Sequence, residues 1–198
     1  PSPSVGATEN ILMAAVMAKG ETLIDHAARE PEIVDLGNFL ISMGAKIEGL
    51  GSNKIYIQGV NNLKATKYKI ISDRIVAGTF IILAVMINSK IQVKNFNPNH
   101  LQSLIKILKK MGANMDVLNS SIKIYPSKKL KSAKIETAPY PGFPTDLQAQ
   151  IMSLMSIVNG NSEIKETVFE NRFMHVPELN RLGAEIKLIK DKAFIKGD

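Results

Sequence analysis

The chain has 198 residues, 45% hydrophobic and 22% charged, with 25 Lys and Arg against 18 Asp and Glu and a formal net charge of +7. That balance excludes a disordered tail and is ample for the core of one large domain or two small ones. The absence of cysteine excludes disulfides, thiolate metal sites and a cysteine nucleophile from these residues.

In chain order, Ser4-Val5-Gly6-Ala7-Thr8 precedes an apolar helix expected over Asn10–Ala18. Small residues there let backbone N–H groups meet an anion at the helix start. A strand at Thr22–Asp25, an amphipathic helix ending in Met43-Gly44-Ala45, and strands at Lys46–Leu50 and Lys54–Gln58 follow. The last of these alternates as a half-buried strand does. A leading strand at Tyr68–Ile71 opens the next unit, and Ser72-Asp73 starts an apolar helix at Arg74–Ile87. After a strand at Lys90–Lys94, Leu101, Leu104, Ile105, Leu108 and Met111 share one helical face. A third unit begins with a strand at Lys134–Thr137 and crosses Pro139-Tyr140-Pro141-Gly142-Phe143-Pro144 to Thr145-Asp146. An apolar helix at Leu147–Val158 and a strand at Ser162–Glu166 complete its first half.

These elements are a repeat. Met43-Gly44-Ala45 returns as Met111-Gly112-Ala113 and as Leu182-Gly183-Ala184, at spacings of 68 and 71 residues. Each glycine follows the last periodic residue of a helix, where a left-handed backbone is needed. The unit is β-α-β-α-β-β. The first copy lacks its leading strand and the chain lacks an initiator methionine, which predicts a piece of a longer protein. Ile81 to Ile87 shows no polar face, so the first helix of each unit is expected to be buried on all sides, the three packing together.

Repeated features are architecture, and unrepeated ones are candidates for function. Thr8-Glu9, Ser72-Asp73 and Thr145-Asp146 recur at helix starts and read as caps, with Thr145 and Gln148 spaced as a capping box. A second reading of Asp146 stands beside this one. The three prolines ahead of it stiffen its mount, as a carboxylate base requires. The other unrepeated feature is Glu170-Asn171-Arg172-Phe173-Met174. Pro177 stands too close to Leu182 for a long helix, so this stretch is expected to be loop. It is either a site or a surface Arg–Glu pair. His26, His100 and His175 lack metal-ligand spacing, and no phosphate-loop, dinucleotide or zinc-protease motif occurs, so neither metal nor cofactor is expected.

Arginine occurs only at positions 29, 74, 172 and 181, and the lysines are scattered apart from Lys128 to Lys134. That favours a solvated surface over a nucleic-acid partner. The longest apolar runs, Ile11–Ala18 and Phe80–Ile87, are eight residues each. A spanning helix needs about 20, and no signal peptide is evident. A cytoplasmic, membrane-free protein is expected.

Four stretches carry a family resemblance: Pro3–Asn10, Ala27–Asp35, Pro141–Gln150 and Glu170–Leu179. Together they resemble the enolpyruvyl transferases that act on UDP-N-acetylglucosamine, over nearly the whole chain. The resemblance implies an inside-out α/β barrel fold of six such repeats in two domains, three repeats being present here. Residues 1–71 would be the last repeat of the first, catalytic-loop domain, and 72–198 the first two of the second. It implies transfer of the enolpyruvyl group of phosphoenolpyruvate to the sugar 3′-hydroxyl through a tetrahedral ketal, the first committed step of peptidoglycan synthesis, by a monomer without cofactor.

The resemblance also implies roles for residues. Asp146 would face the 3′-hydroxyl and Arg172 would stand near the reacting centre. Ser2, Pro3, Ser4, Val5 and Gly6 match the stretch that contacts the nucleotide diphosphate. Thr145 and Val168 match nucleotide-sugar contacts, and Arg74 matches a motif near the uridine. The family's cysteine-bearing loop and its phosphoenolpyruvate ligands would precede Pro1, leaving the 198 residues inactive alone. The competing readings are a 3-phosphoshikimate enolpyruvyl transferase, a repeat-built RNA-binding or RNA-end-processing module, and a purely structural interaction domain.

Overall fold

Three copies of one chain path account for the architecture. The computed structural model describes residues 3–198. They form two units, up to Ile71 and from Ser72 onward.

In the first unit, helix α1 (Val5–Ala15) leads to β1 (Glu21–Asp25), α2 (Pro31–Ser42), β2 (Lys46–Glu48) and β3 (Lys54–Gln58). The strands pair antiparallel in the order β1-β3-β2. One face of β3, Ile55 and Ile57, joins Leu12, Val16, Ile33 and Leu40 in a core. Helix α1 starts five residues earlier than expected. Ser4 is its cap, accepting from the Ala7 N–H at 3.3 Å, and Thr8 lies inside the helix. Thr8 is buried, donates to the Ser4 carbonyl at 2.8 Å and accepts from the Ala28 N–H at 3.0 Å.

The second unit holds two copies. The first comprises α3 (Arg74–Met86), β4 (Ile91–Lys94), a 3₁₀ turn (Pro98–Leu101) running into α4 (Gln102–Met111), β5 (Asn114–Leu118) and β6 (Ser121–Tyr125). The second comprises β7 (Lys134–Glu136), a 3₁₀ turn (Thr145–Leu147) running into α5 (Gln148–Ser156), β8 (Gly160–Lys165), α6 (Val176–Arg181), β9 (Glu185–Ile189) and β10 (Lys192–Gly197). The sheet orders are β4-β6-β5 and β7-β8-β10-β9. The motif of the first unit recurs in both, with the last strand of each copy in the middle. The leading strand β7 adds parallel to β8.

The repeat signals map directly onto this path. Gly44, Gly112 and Gly183 have φ of 106°, 98° and 102°, the left-handed stop expected of all three. The periodic face of α4, from Leu101 through Met111, is buried. Tyr68–Ile71, expected as a strand, is not one. Its Tyr68 hydroxyl donates to Asp35 Oδ1 at 2.8 Å and the Ile71 N–H to Asp35 Oδ2 at 3.4 Å, so a buried carboxylate takes the place of a ladder partner.

The all-apolar helices are also less enclosed than their sequences predict. Helix α3 packs on α5, with Gly78 against Leu147. Its opposite stripe, Val76, Phe80 and Leu83 with the following Ile87, is 42% or more exposed. Only two such helices meet in this unit, so each covers one side of the other.

Candidate functional site

The third copy departs from the other two at its helix start. Asp73 caps α3 through the N–H groups of Ile75 and Val76, at 2.7 and 3.0 Å. Neither Thr145 nor Asp146 does this for the third. Pro144 occupies the cap position with no side-chain bond, and the turn is 3₁₀. The capping box of Thr145 and Gln148 does not form either, because both side chains are drawn to another partner.

That partner is Glu166, just past β8 and 5% exposed. Its Oε1 accepts from Thr137 Oγ1 at 2.9 Å and from the backbone N–H groups of Val168 and Phe169 at 2.9 and 3.1 Å. Its Oε2 accepts from Thr145 Oγ1 at 2.8 Å and Gln148 Nε2 at 3.1 Å. Burial by itself would raise this carboxyl's pKa. The bonds from Val168, Thr145, Thr137 and Phe169 outweigh it and hold the group below the ordinary carboxylate range.

This has a consequence in acid. The folded chain releases the Glu166 proton more readily than the unfolded chain does. The stability so gained is complete above the unfolded value of about 4.3 and is lost as pH falls through the lower folded value. The urea midpoint should therefore fall more steeply below about pH 4 in the wild type than in Glu166→Gln. Equal slopes in the two would remove Glu166 as an acid-sensitive group.

Asp146 faces the other way. Arg172 Nη2 donates to Asp146 Oδ1 at 2.6 Å, with the two side chains 36% and 51% exposed respectively. The guanidinium lies over the Phe169 ring, 5.0 Å from its centroid. Arg172 comes from the stretch expected to be loop, which is non-helical until α6 begins at Val176. Its partner is Asp146 rather than Glu170. This loop lines a cleft of about 970 Å³ that includes Glu166, Val168, Phe169 and Arg172. His175 follows, its pKa lowered by burial and then by the charge of Arg172.

Thr145, Asp146, Val168 and Arg172 are thus brought together. Arg74 is buried at the start of α3, its guanidinium 5.6 Å from the centroid of the Tyr140 ring in the proline-rich loop before Asp146. Pro3, Ser4, Val5 and Gly6 lie in the first unit, at the beginning of α1. Ser2 lies outside the described residues. Among the described residues, no cluster of three or more His, Cys, Asp or Glu could hold a metal, and no helix is long and apolar enough to cross a membrane.

Sequence reasoning passed over Glu166 and Thr137. The signal was there: Ser162, Ile164 and Glu166 alternate, as do Ile135 and Thr137, so each polar residue had to point where its apolar neighbour points.

The path and the site together define an enolpyruvyl transferase fold. The chain belongs to the EPSP synthase (3-phosphoshikimate 1-carboxyvinyltransferase) family, which it matches over residues 1–198. It is 53% identical over 194 residues to a UDP-N-acetylglucosamine 1-carboxyvinyltransferase of Halothermothrix orenii, covering 98% of this chain and 47% of that protein. It is 54% identical over 197 residues to UDP-N-acetylglucosamine 1-carboxyvinyltransferase 2 of Carboxydothermus hydrogenoformans, with the same coverage. The chain therefore spans about half the length of the curated relatives it matches. Among solved structures, the enolpyruvyl transferase NikO from Streptomyces tendae superposes with a TM-score of 0.87 at 24% identity, covering 98% of this chain and 46% of NikO. EPSP synthase from Acinetobacter baumannii superposes at 0.73 and 21%, covering 100% and 47%. These likenesses establish the shared fold.

Proposed function

We propose that this chain is part of an enzyme that transfers the enolpyruvyl group of phosphoenolpyruvate to the 3′-hydroxyl of UDP-N-acetylglucosamine, releasing phosphate and committing the sugar to peptidoglycan synthesis. The support is twofold: about 50% identity to carboxyvinyltransferases of that acceptor, and a positioned carboxylate in the copy that departs from the repeat. The observation that carries the mechanism is the Asp146–Arg172 pair.

In this reading the Asp146 carboxylate takes the proton of the acceptor hydroxyl as its oxygen bonds to C2 of phosphoenolpyruvate, while the C2=C3 π bond opens and C3 takes up a proton to become a methyl group. Arg172 holds the carboxylate in orientation. The resulting tetrahedral ketal expels phosphate and loses a methyl proton to give the carboxyvinyl ether. Thr145 and Val168 contact the nucleotide sugar, Arg74 lies toward the uridine, and Ser2 to Gly6 contact the diphosphate. Residues 1–71 are the last repeat of one domain and 72–198 the first two of the next, in a cytoplasmic, monomeric protein.

The test is phosphate release by the full-length protein. It should require phosphoenolpyruvate and UDP-N-acetylglucosamine together, with 3-phosphoshikimate giving none. Release with 3-phosphoshikimate in place of the nucleotide sugar would reverse the acceptor assignment.

A further inference from the structure

Glu166 is a buried charge with hydrogen bonds on both of its oxygens, and the catalytic roles proposed above do not use it. It accepts five hydrogen bonds, which divide between its oxygens by destination. Oε2 is bonded to Thr145, the residue before Asp146, and to Gln148, two residues after it. Oε1 is bonded to the backbone of Val168 and Phe169. The Phe169 ring supports the guanidinium of Arg172, which bonds Asp146. A single rigid carboxylate therefore spans the turn that presents Asp146 and the loop that presents its arginine.

We propose that Glu166 is a positioning residue for the transfer reaction: its two oxygens set the placement of Asp146 and Arg172 relative to one another. The inference rests on the proposed role of Asp146. Charge suits the task because bonds to an ionised acceptor are about twice as strong as neutral ones. Thr137, the residue just past β7, completes the brace. It donates to Oε1, and its own Oγ1 accepts from the Thr167 N–H at 2.9 Å, so loop and strand share one anchor.

The amide variant Glu166→Gln separates positioning from folding. Gln148 Oε1 is buried without a hydrogen-bond partner. A flip of the Gln148 amide would offer that oxygen to the new NH₂ group, so the buried contact has a way to re-form. The Thr145 hydroxyl, by contrast, loses a charged acceptor.

In the full-length protein, Glu166→Gln should lower kcat by about 10- to 100-fold, the scale of an ångström-sized misplacement. Its melting temperature at neutral pH should fall by no more than the stability that the ionised carboxyl supplies, which leaves the protein folded at the assay temperature. In an Asp146→Asn background the same change should lower kcat by no more than about twofold, because the group it positions is already disabled. A Glu166→Gln loss that persists undiminished beside a normal Asp146→Asn loss overturns the positioning role alone. An Asp146→Asn kcat equal to wild type overturns both, since Glu166 would then hold no catalytic group. Should Glu166→Gln yield no folded protein, Thr145→Val cuts the Oε2 link with the carboxylate in place. It must show the same loss and the same non-additivity, and a wild-type kcat there overturns the proposal.

Discussion

Asp146→Asn should lower kcat of the full-length protein by about 10²- to 10⁴-fold, the usual contribution of a positioned base. The substitution is nearly isosteric. An asparagine carbonyl oxygen can still accept from Arg172 Nη2, so the 2.6 Å bond has a replacement and the loop keeps its anchor. What is lost is the capacity to take a proton. Because Asp146 is half exposed and caps no helix, the melting temperature should move little. Steady-state kinetics beside a thermal melt separate the two effects. Turnover within a few-fold of wild type would leave Asp146 as the exposed half of a surface ion pair, of the kind worth under about 1 kcal/mol. Arg172→Lys offers a graded comparison, because a lysine keeps the charge and gives up the planar fork that fixes orientation.

The repeat made most of the fold legible. A glycine stop uses a left-handed backbone that glycine adopts without strain, so Gly44, Gly112 and Gly183 mark three helix ends in the sequence itself. The face of α4 and the alternation of β3 followed from period alone. Errors came where a polar side chain had more than one possible partner. Thr8, Thr145 and Asp146 all read as residues at helix starts, where capping is the local solution. Thr8 instead serves the Ala28 N–H, Thr145 serves Glu166, and Asp146 serves Arg172. Each preferred partner is 20 or more residues away, so no window of a few residues reveals it. Tyr68–Ile71 failed for the same reason, with Asp35 as the distant acceptor. The site divided along similar lines. The resemblance pointed to Asp146, Val168 and Arg172 by motif, whereas Glu166 was visible only as a carboxylate in phase with Ile164.

The stability of the second unit and the placement of Asp146 meet at Leu147. This side chain is fully buried directly after Asp146, and it presses on Gly78 of α3. Leu147→Ala should cost about 2–5 kcal/mol, the transfer term plus a cavity between α3 and α5. The urea midpoint should fall with an unchanged slope. The complementary variant overfills the same contact. A Cβ on Gly78 would stand 2.6 Å from Leu147 Cδ1 and 3.3 Å from Leu104 Cδ2, so Gly78→Ala alone should cost about 1–3 kcal/mol despite the better helix propensity of alanine. With both changes made, the methyl added at Gly78 occupies space that Leu147 vacates. The Gly78→Ala change should then be neutral or stabilising by up to about 1 kcal/mol in the Leu147→Ala background. Additive losses in the double variant would mean that the two side chains do not share a contact. The helix pair would then not be what holds the Asp146 turn against the core.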